Sequence, residues 1–246
     1  SLNEKNLEVR KNNWTYYPIP KHIIEWAIET IQINNNNNIF LTNEIYYGHP
    51  DLEFNYSHTM GDKVILSNND YNKLVKYYNT NNKSEFLYDV GLTIVHECMH
   101  ILQRFNYENF KVLYKSWGYL FSDIINIQIL LKNKRQNPDA NDDDVIWSDG
   151  KGNFYFINCF YTQNSNVEKL AYPLYKVGNK FEYRGDKGIQ LHNLKSYNDF
   201  FGGKLGNNYT PNEIYAEYTE IYYLEGLNPE NTLNTHAYQM FKDFNL

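Results

Sequence analysis

Residues 85–105 read EFLYDVGLTIVHECMHILQRF. Apolar or small residues at 87, 90, 91, 94, 98, 101 and 105 recur at three- and four-residue steps, which predicts a helix from about Glu85 to Phe105. Val95, Met99 and Leu102 widen the apolar surface, and Thr93, His96, Glu97, His100 and Gln103 fall on one polar stripe. A helix apolar around most of its circumference is buried. Buried histidines and a buried glutamate need partners, and a metal ion satisfies several at once.

The stripe contains His96-Glu97-Cys98-Met99-His100, an HExxH pattern. Four helical residues turn about 400°, so the two imidazoles stand about 40° apart and can reach one ion. Neutral imidazoles suit Zn²⁺, and Glu97 beside them is the base that takes a proton from metal-bound water. Cys98 lies on the apolar side and reads as a packed thiol.

Working outward, PKHIIEWAIETIQI (20–33) has helical spacing with Pro20 near its start. Asn34–Asn38 is a loop, and IFLTNEIYY (39–47) reads as a strand. Lys63–Leu66 is a second strand, entered through the turn Met60-Gly61-Asp62, and Tyr71–Tyr78 a short helix. A helix is predicted from about Val112 to Lys132, ended by KNKRQNPDANDDD. Residues 145–184 read as β-rich, with a Gly turn in WSDGKGNFYF and a hairpin about Gly178-Asn179. A Gly-rich stretch, FFGGKLGNNY, precedes a last strong helix from Pro211 to about Leu224. Strands and helices are segregated along the chain, so the class is α+β. The expected organisation is a single domain over 1–246 with a helical and β-rich insertion at about 110–205.

A zinc ion with one position open to water needs a third protein ligand. The candidate segment is TPNEIYAEYTE (210–220), where Glu213, Glu217 and Glu220 share one helical face. Thr210-Pro211-Asn212-Glu213 is also a capping box, which competes for the Glu213 carboxylate and leaves Glu217 as an alternative ligand. His192 is a further alternative. His192, His236, Tyr209 and Tyr215 are candidates by residue type for stabilising an oxyanion. Asp142-Asp143-Asp144 has no EF-hand spacing and reads as a solvated turn.

HECMH followed downstream by NEIYAE resembles the gluzincin zinc metallopeptidases, the thermolysin-like group. The resemblance rests on some fifteen residues. It implies a zincin-like fold, with a small sheet beside the HExxH helix and the Glu ligand on a second helix. By it Glu213 is the third ligand, and Glu217 the acid that hydrogen-bonds a ligating histidine. Lys63–Leu66 becomes the strand lining an extended substrate. The second acid here is Glu where that group has Asp, and no HxxGxxH follows the first motif, which sets the chain apart from metzincins.

Composition narrows the partners. Twenty-three Lys+Arg against 29 Asp+Glu gives a net charge of −6, the wrong sign for a face that neutralises phosphates, so no nucleic-acid partner is expected. No run of 18 apolar residues exists, so no membrane span is expected. Two cysteines, Cys98 and Cys159, exclude a disulfide framework, and the polar start SLNEKNLEVRKNN lacks the apolar core of a signal peptide. An intracellular setting is the expectation. The 37 Asn and 24 Tyr have the look of an AT-rich genome. The function expected is a zinc peptidase acting on a peptide or protein, with one Zn²⁺ on His96, His100 and Glu213 and Glu97 as general base. The alternative is a non-catalytic interaction protein built round a structural zinc.

Overall fold

The structure, a computed structural model, describes residues 15–33, 39–50, 55–135, 144–161, 167–203, 205–206, 208–228, 230 and 232–244. The Asn34–Asn38 loop and Asp142 and Asp143 lie outside the described residues. The chain forms two compact units, residues 1–105 with 219–232 and residues 106–218 with 233–246. Helices and strands are mixed in an α+β manner. Among the described residues no helix is long and apolar enough to cross a membrane.

The first unit contains β1 (Tyr16–Pro18), α1 (Lys21–Ile33), β2 (Ile45–Gly48), β3 (His58–Met60) and β4 (Lys63–Leu66). Its sheet has the order β1-β2-β4-β3, antiparallel at both ends and parallel between β2 and β4. The expected strand over 39–47 begins only at Ile45, the main-chain carbonyl of Glu44 just before it accepting from Val64 N at 2.9 Å. Gly61, at φ +63°, turns β3 into β4, a conformation that costs glycine nothing. β4 sends Val64, Ile65 and Leu66 into the core.

Next comes α2 (Asn68–Thr80), longer than Tyr71–Tyr78 because Ser67 caps it: its Oγ accepts Asp70 N at 3.0 Å. Asn81 ends it in the left-handed region. The helical run that follows is interrupted: Lys83–Phe86 is α, Leu87–Gly91 is π-helical, and α3 (Leu92–Phe105) is α again. Asp89 in the π turn accepts from Lys73 Nζ and from Tyr77 OH, both at 2.9 Å, which ties the wide turn to α2. Ile94, Val95, Cys98 and Ile101 of α3 are buried, as their spacing requires.

The second unit opens with α4 (Tyr107–Ser116). The helix expected to run to Lys132 instead stops at Trp117, because Gly118 takes φ +87° and packs where a Cβ would meet Ser148 O at 2.7 Å. Beyond it come β5 (Tyr119–Leu120), β6 (Ile124–Ile125) and one helical turn at Gln128–Leu131. Then β7 (Ile146–Ser148), β8 (Phe154–Tyr161), β9 (Val167–Val177), β10 (Lys180–Glu182) and β11 (Ile189–Gln190) follow. Their order is β5-β7-β8-β9-β10-β6, with β11 on β9, and the β9–β10 hairpin turns at Gly178-Asn179 as expected. One apolar cluster of this sheet holds Ile146, Phe156, Phe160, Leu174 and Phe181.

Three helices complete the chain: α5 (Lys195–Phe201), α6 (Pro211–Leu227) and α7 (His236–Asp243). Trp117, Trp147, Tyr197, Phe201, Tyr218 and Tyr238 pack as an aromatic core in the second unit, most pairs edge-to-face. The helix α6 runs unbroken over its 17 residues.

Candidate metal centre

The α3 helix buries His96, Glu97, His100 and Gln103 on one side. The imidazoles are 4.8 Å apart between ring centres at 76°. His100 Nδ1 donates to Gln103 Oε1 at 2.9 Å, three residues on in the same helix. His96 Nδ1 donates to Glu220 Oε1. An oxygen acceptor on each Nδ1 fixes the Nδ1–H tautomer and leaves Nε2 as the ring nitrogen that can bind a metal.

Glu213 stands in the first turn of α6, seven residues before Glu220 on that helix. Seven residues is two turns less about 20°, so the two carboxylates share a face about 10 Å apart along the axis. The Thr210 half of the capping box forms, with Glu213 N donating to Thr210 Oγ1 at 3.4 Å. The neighbouring Asn212 accepts from the buried Tyr114 OH at 2.8 Å, which holds this turn in place. The Glu213 carboxylate is buried, only 4% of the residue being exposed. His96, His100 and Glu213 each offer one ligand atom, all within 4.8 Å of one another, so the three can hold a metal ion. They are the candidate group among the described residues.

Two sequence expectations change. Glu217, expected beside a ligating histidine, accepts from Gly206 N, and Glu220 takes the place on His96. A Cβ at Gly206 would lie 2.8 Å from Glu217 Oε1, so a larger residue there would make the carboxylate shift. Lys63–Leu66, expected to line a substrate, is an interior strand hydrogen-bonded to β2 on one side and β3 on the other. The strands at the two ends of the sheet are β1 and β3.

The remaining candidates are dispersed. His192 is exposed in the short turn Leu191–Asn193 and stands outside the metal-competent group. His236 is exposed at the start of α7, with its ring 5.8 Å from Phe200. Tyr215 is buried between Phe110 and Phe241, in contact with both rings. Tyr209 is buried, with Lys169 Nζ 5.8 Å from its ring centre. Asp144 pairs with Lys134 at 2.5 Å. Cys98 is a buried free thiol whose burial pushes it up to about 12. A cavity of about 440 Å³ lined by Trp117, Trp147, Asp199, Phe200 and His236 includes none of the metal-competent side chains.

Sequence reasoning assigned no role to Gln103 or Arg135. Gln103 was visible as a polar residue on the stripe, three after His100. Burial opposes the Arg135 charge, but Tyr209, Cys159, Tyr161 and Glu213 around it raise its affinity for the proton, so a guanidinium stands in the electrostatic surroundings of Glu213. Nothing in the local sequence marks it.

Comparison of the chain with protein-family models, with curated proteins and with solved structures returns no match.

Proposed function

We propose that the protein is a zinc-dependent peptidase of the HExxH-plus-Glu type, similar to gluzincins, with a zincin-like arrangement around α3. The observation that carries this reading is the convergence of His96, His100 and Glu213. Two neutral imidazoles and one carboxylate are a donor set suited to Zn²⁺, whereas Ca²⁺ and Mg²⁺ favour all-oxygen surroundings. A structural zinc, the alternative, is closed by four protein ligands. The group among the described residues has three, which leaves a coordination position for water. A purely structural site also has no use for a base at Glu97.

Zinc bound there would supply a Lewis acid and a water of lowered pKa. Glu97, next to His96 on a buried helix, takes the proton of the attacking water and returns it to the leaving amine. Gln103 and Glu220 hold the two rings in the tautomer that presents Nε2. The substrate is a peptide or protein segment.

The test is Glu97→Gln on the metal-loaded protein. Metal content should stay at roughly one zinc per chain while hydrolysis of denatured casein falls by about 10²-fold or more. Retained turnover removes Glu97 from the mechanism. Wild-type protein that takes up no zinc when it is supplied overturns the reading.

A further inference from the structure

We infer that the second unit carries a binding site of its own, a cavity that takes a neutral saccharide of one or two rings. The inference does not depend on the peptidase reading. The cavity, of about 440 Å³, is walled by the β7–β8 turn, by α5 and by the start of α7, all within the second unit. Small molecules are bound in cavities of about 300–1,000 Å³. The aromatic wall is held from behind. Trp147 is buried, donates from Nε1 to Trp117 O at 3.1 Å and meets the rings of Tyr197 and Phe201. The β7–β8 turn is fixed by Asp149, whose Oδ1 accepts from Lys151 N at 2.8 Å and from Asn153 N at 3.1 Å. The walls therefore stand before a ligand arrives, which spares the cost of ordering them on binding.

The chemistry of the walls selects the ligand. Asp149 and Lys151 stand two residues apart in one turn, and Asp199 Oδ2 accepts from Lys195 Nζ at 2.5 Å. Two acids matched by two lysines leave no net charge, so an ion of either sign meets its like as well as its opposite. Hydrogen-bonding capacity is left over in both directions. Asp199 Oδ1, the His236 ring and the Lys151 ammonium have no hydrogen-bond partner among the described residues. The first accepts, the ammonium donates, and a neutral imidazole does both. Trp117, in the same wall, keeps an indole N–H buried with no acceptor among the described residues, a cost that lasts until an oxygen reaches it. Phe200, half-buried, and Trp147 supply apolar surface. A purely apolar ligand would strand the polar groups, and a simple ion would answer only half of them. A sugar answers both kinds: each hydroxyl donates and accepts, and the C–H face of the ring packs on aromatic side chains.

The probes are maltose, cellobiose, lactose and N,N′-diacetylchitobiose, titrated calorimetrically into the whole protein, with benzoate and benzylamine as aromatic ions of either sign. At least one sugar should bind with Kd below about 1 mM, and neither ion as tightly. Phe200→Ala should weaken that sugar about tenfold, and Asp199→Ala and His236→Ala about fivefold each. Asp199→Asn keeps an acceptor oxygen and should lose less than Asp199→Ala. Asp199 and His236 are exposed, so their variants carry the comparison if Phe200→Ala does not fold. Zinc content should be the same in all of them, since none of these side chains belongs to the metal-competent group. No sugar bound below about 1 mM, tighter binding of either ion, or full affinity in every variant overturns the inference and leaves the peptidase reading where it stood.

Discussion

Three residues of helix separate Glu217 from Glu220, and that interval decides which carboxylate meets His96. Measured round α6 from Glu213, Glu217 is about 40° ahead and Glu220 about 20° behind, so Glu220 is the closer in azimuth and lies a turn further along. Glu217 instead meets the backbone of Gly206. The sequence displayed all three acids and their shared face, and the structure brings Glu213 to the two histidines. Which acid met which donor depended on a loop 11 residues away from Glu217, and that was not legible. Loss of the acid behind a metal-binding histidine typically lowers metal affinity 10–100-fold. Glu220→Ala should therefore weaken zinc binding by about that factor in a chelator competition, and Glu213→Ala should abolish stoichiometric binding. Glu217→Ala should leave zinc affinity within about twofold of wild type. Zinc lost chiefly in Glu217→Ala would reverse the assignment of the two acids.

At the scale of single elements, periodicity located helices well where one face was apolar. The α1 helix was found to within a residue, and the HExxH helix in extent though not in form, since nothing in Leu87–Gly91 signalled a π turn. The segment 112–132 failed for a physical reason. Its apolar residues suit helix or strand, and the decision was taken by Gly118, whose backbone accepts Ser148 N at 2.9 Å from β7, far along the chain. Propensity yields to a tertiary contact of that kind. Gly118→Ala should put a Cβ into that contact and into a left-handed backbone, at a cost of about 1–3 kcal/mol. Urea unfolding would show the shift as a lowered midpoint with an unchanged slope. An unchanged midpoint would mean that the β5–β7 junction yields easily.

For the molecule as a whole, the α+β class and the β-rich stretch 145–184 were legible from segregated patterns, because alternation and turn residues are local signals. The division into two compact units was not, since it depends on which distant segments meet. The abundance of tyrosine acquires a physical meaning at this scale. Tyr114, Tyr119, Tyr197, Tyr215 and Tyr218 of the second unit are buried, and desolvation raises the pKa of each well above the ordinary tyrosine value. Raised folded-state values give a contribution to stability that is fully present below the unfolded value of about 10 and is lost as the pH climbs past it. We expect unfolding above about pH 10, with tyrosinate absorbance rising in the same step in which near-ultraviolet circular dichroism is lost. Smooth titration of every tyrosine near pH 10 with the fold intact would contradict the burial.

The wide turn at Leu87–Gly91 acts as a phase shifter. A π turn holds about one residue more than an α turn, so everything after it is rotated by roughly 100° from where an uninterrupted α-helix begun at Lys83 would have put it. Lys73 and Tyr77 hold Asp89, and with it the offset, in place. The azimuth at which His96, Glu97, His100 and Arg104 leave α3 is therefore set by how many residues stand between Phe86 and Leu92, a stretch that supplies no donor to the metal group. Changing the identity of a residue there alters packing. Changing their number by one re-aims the whole chemical face.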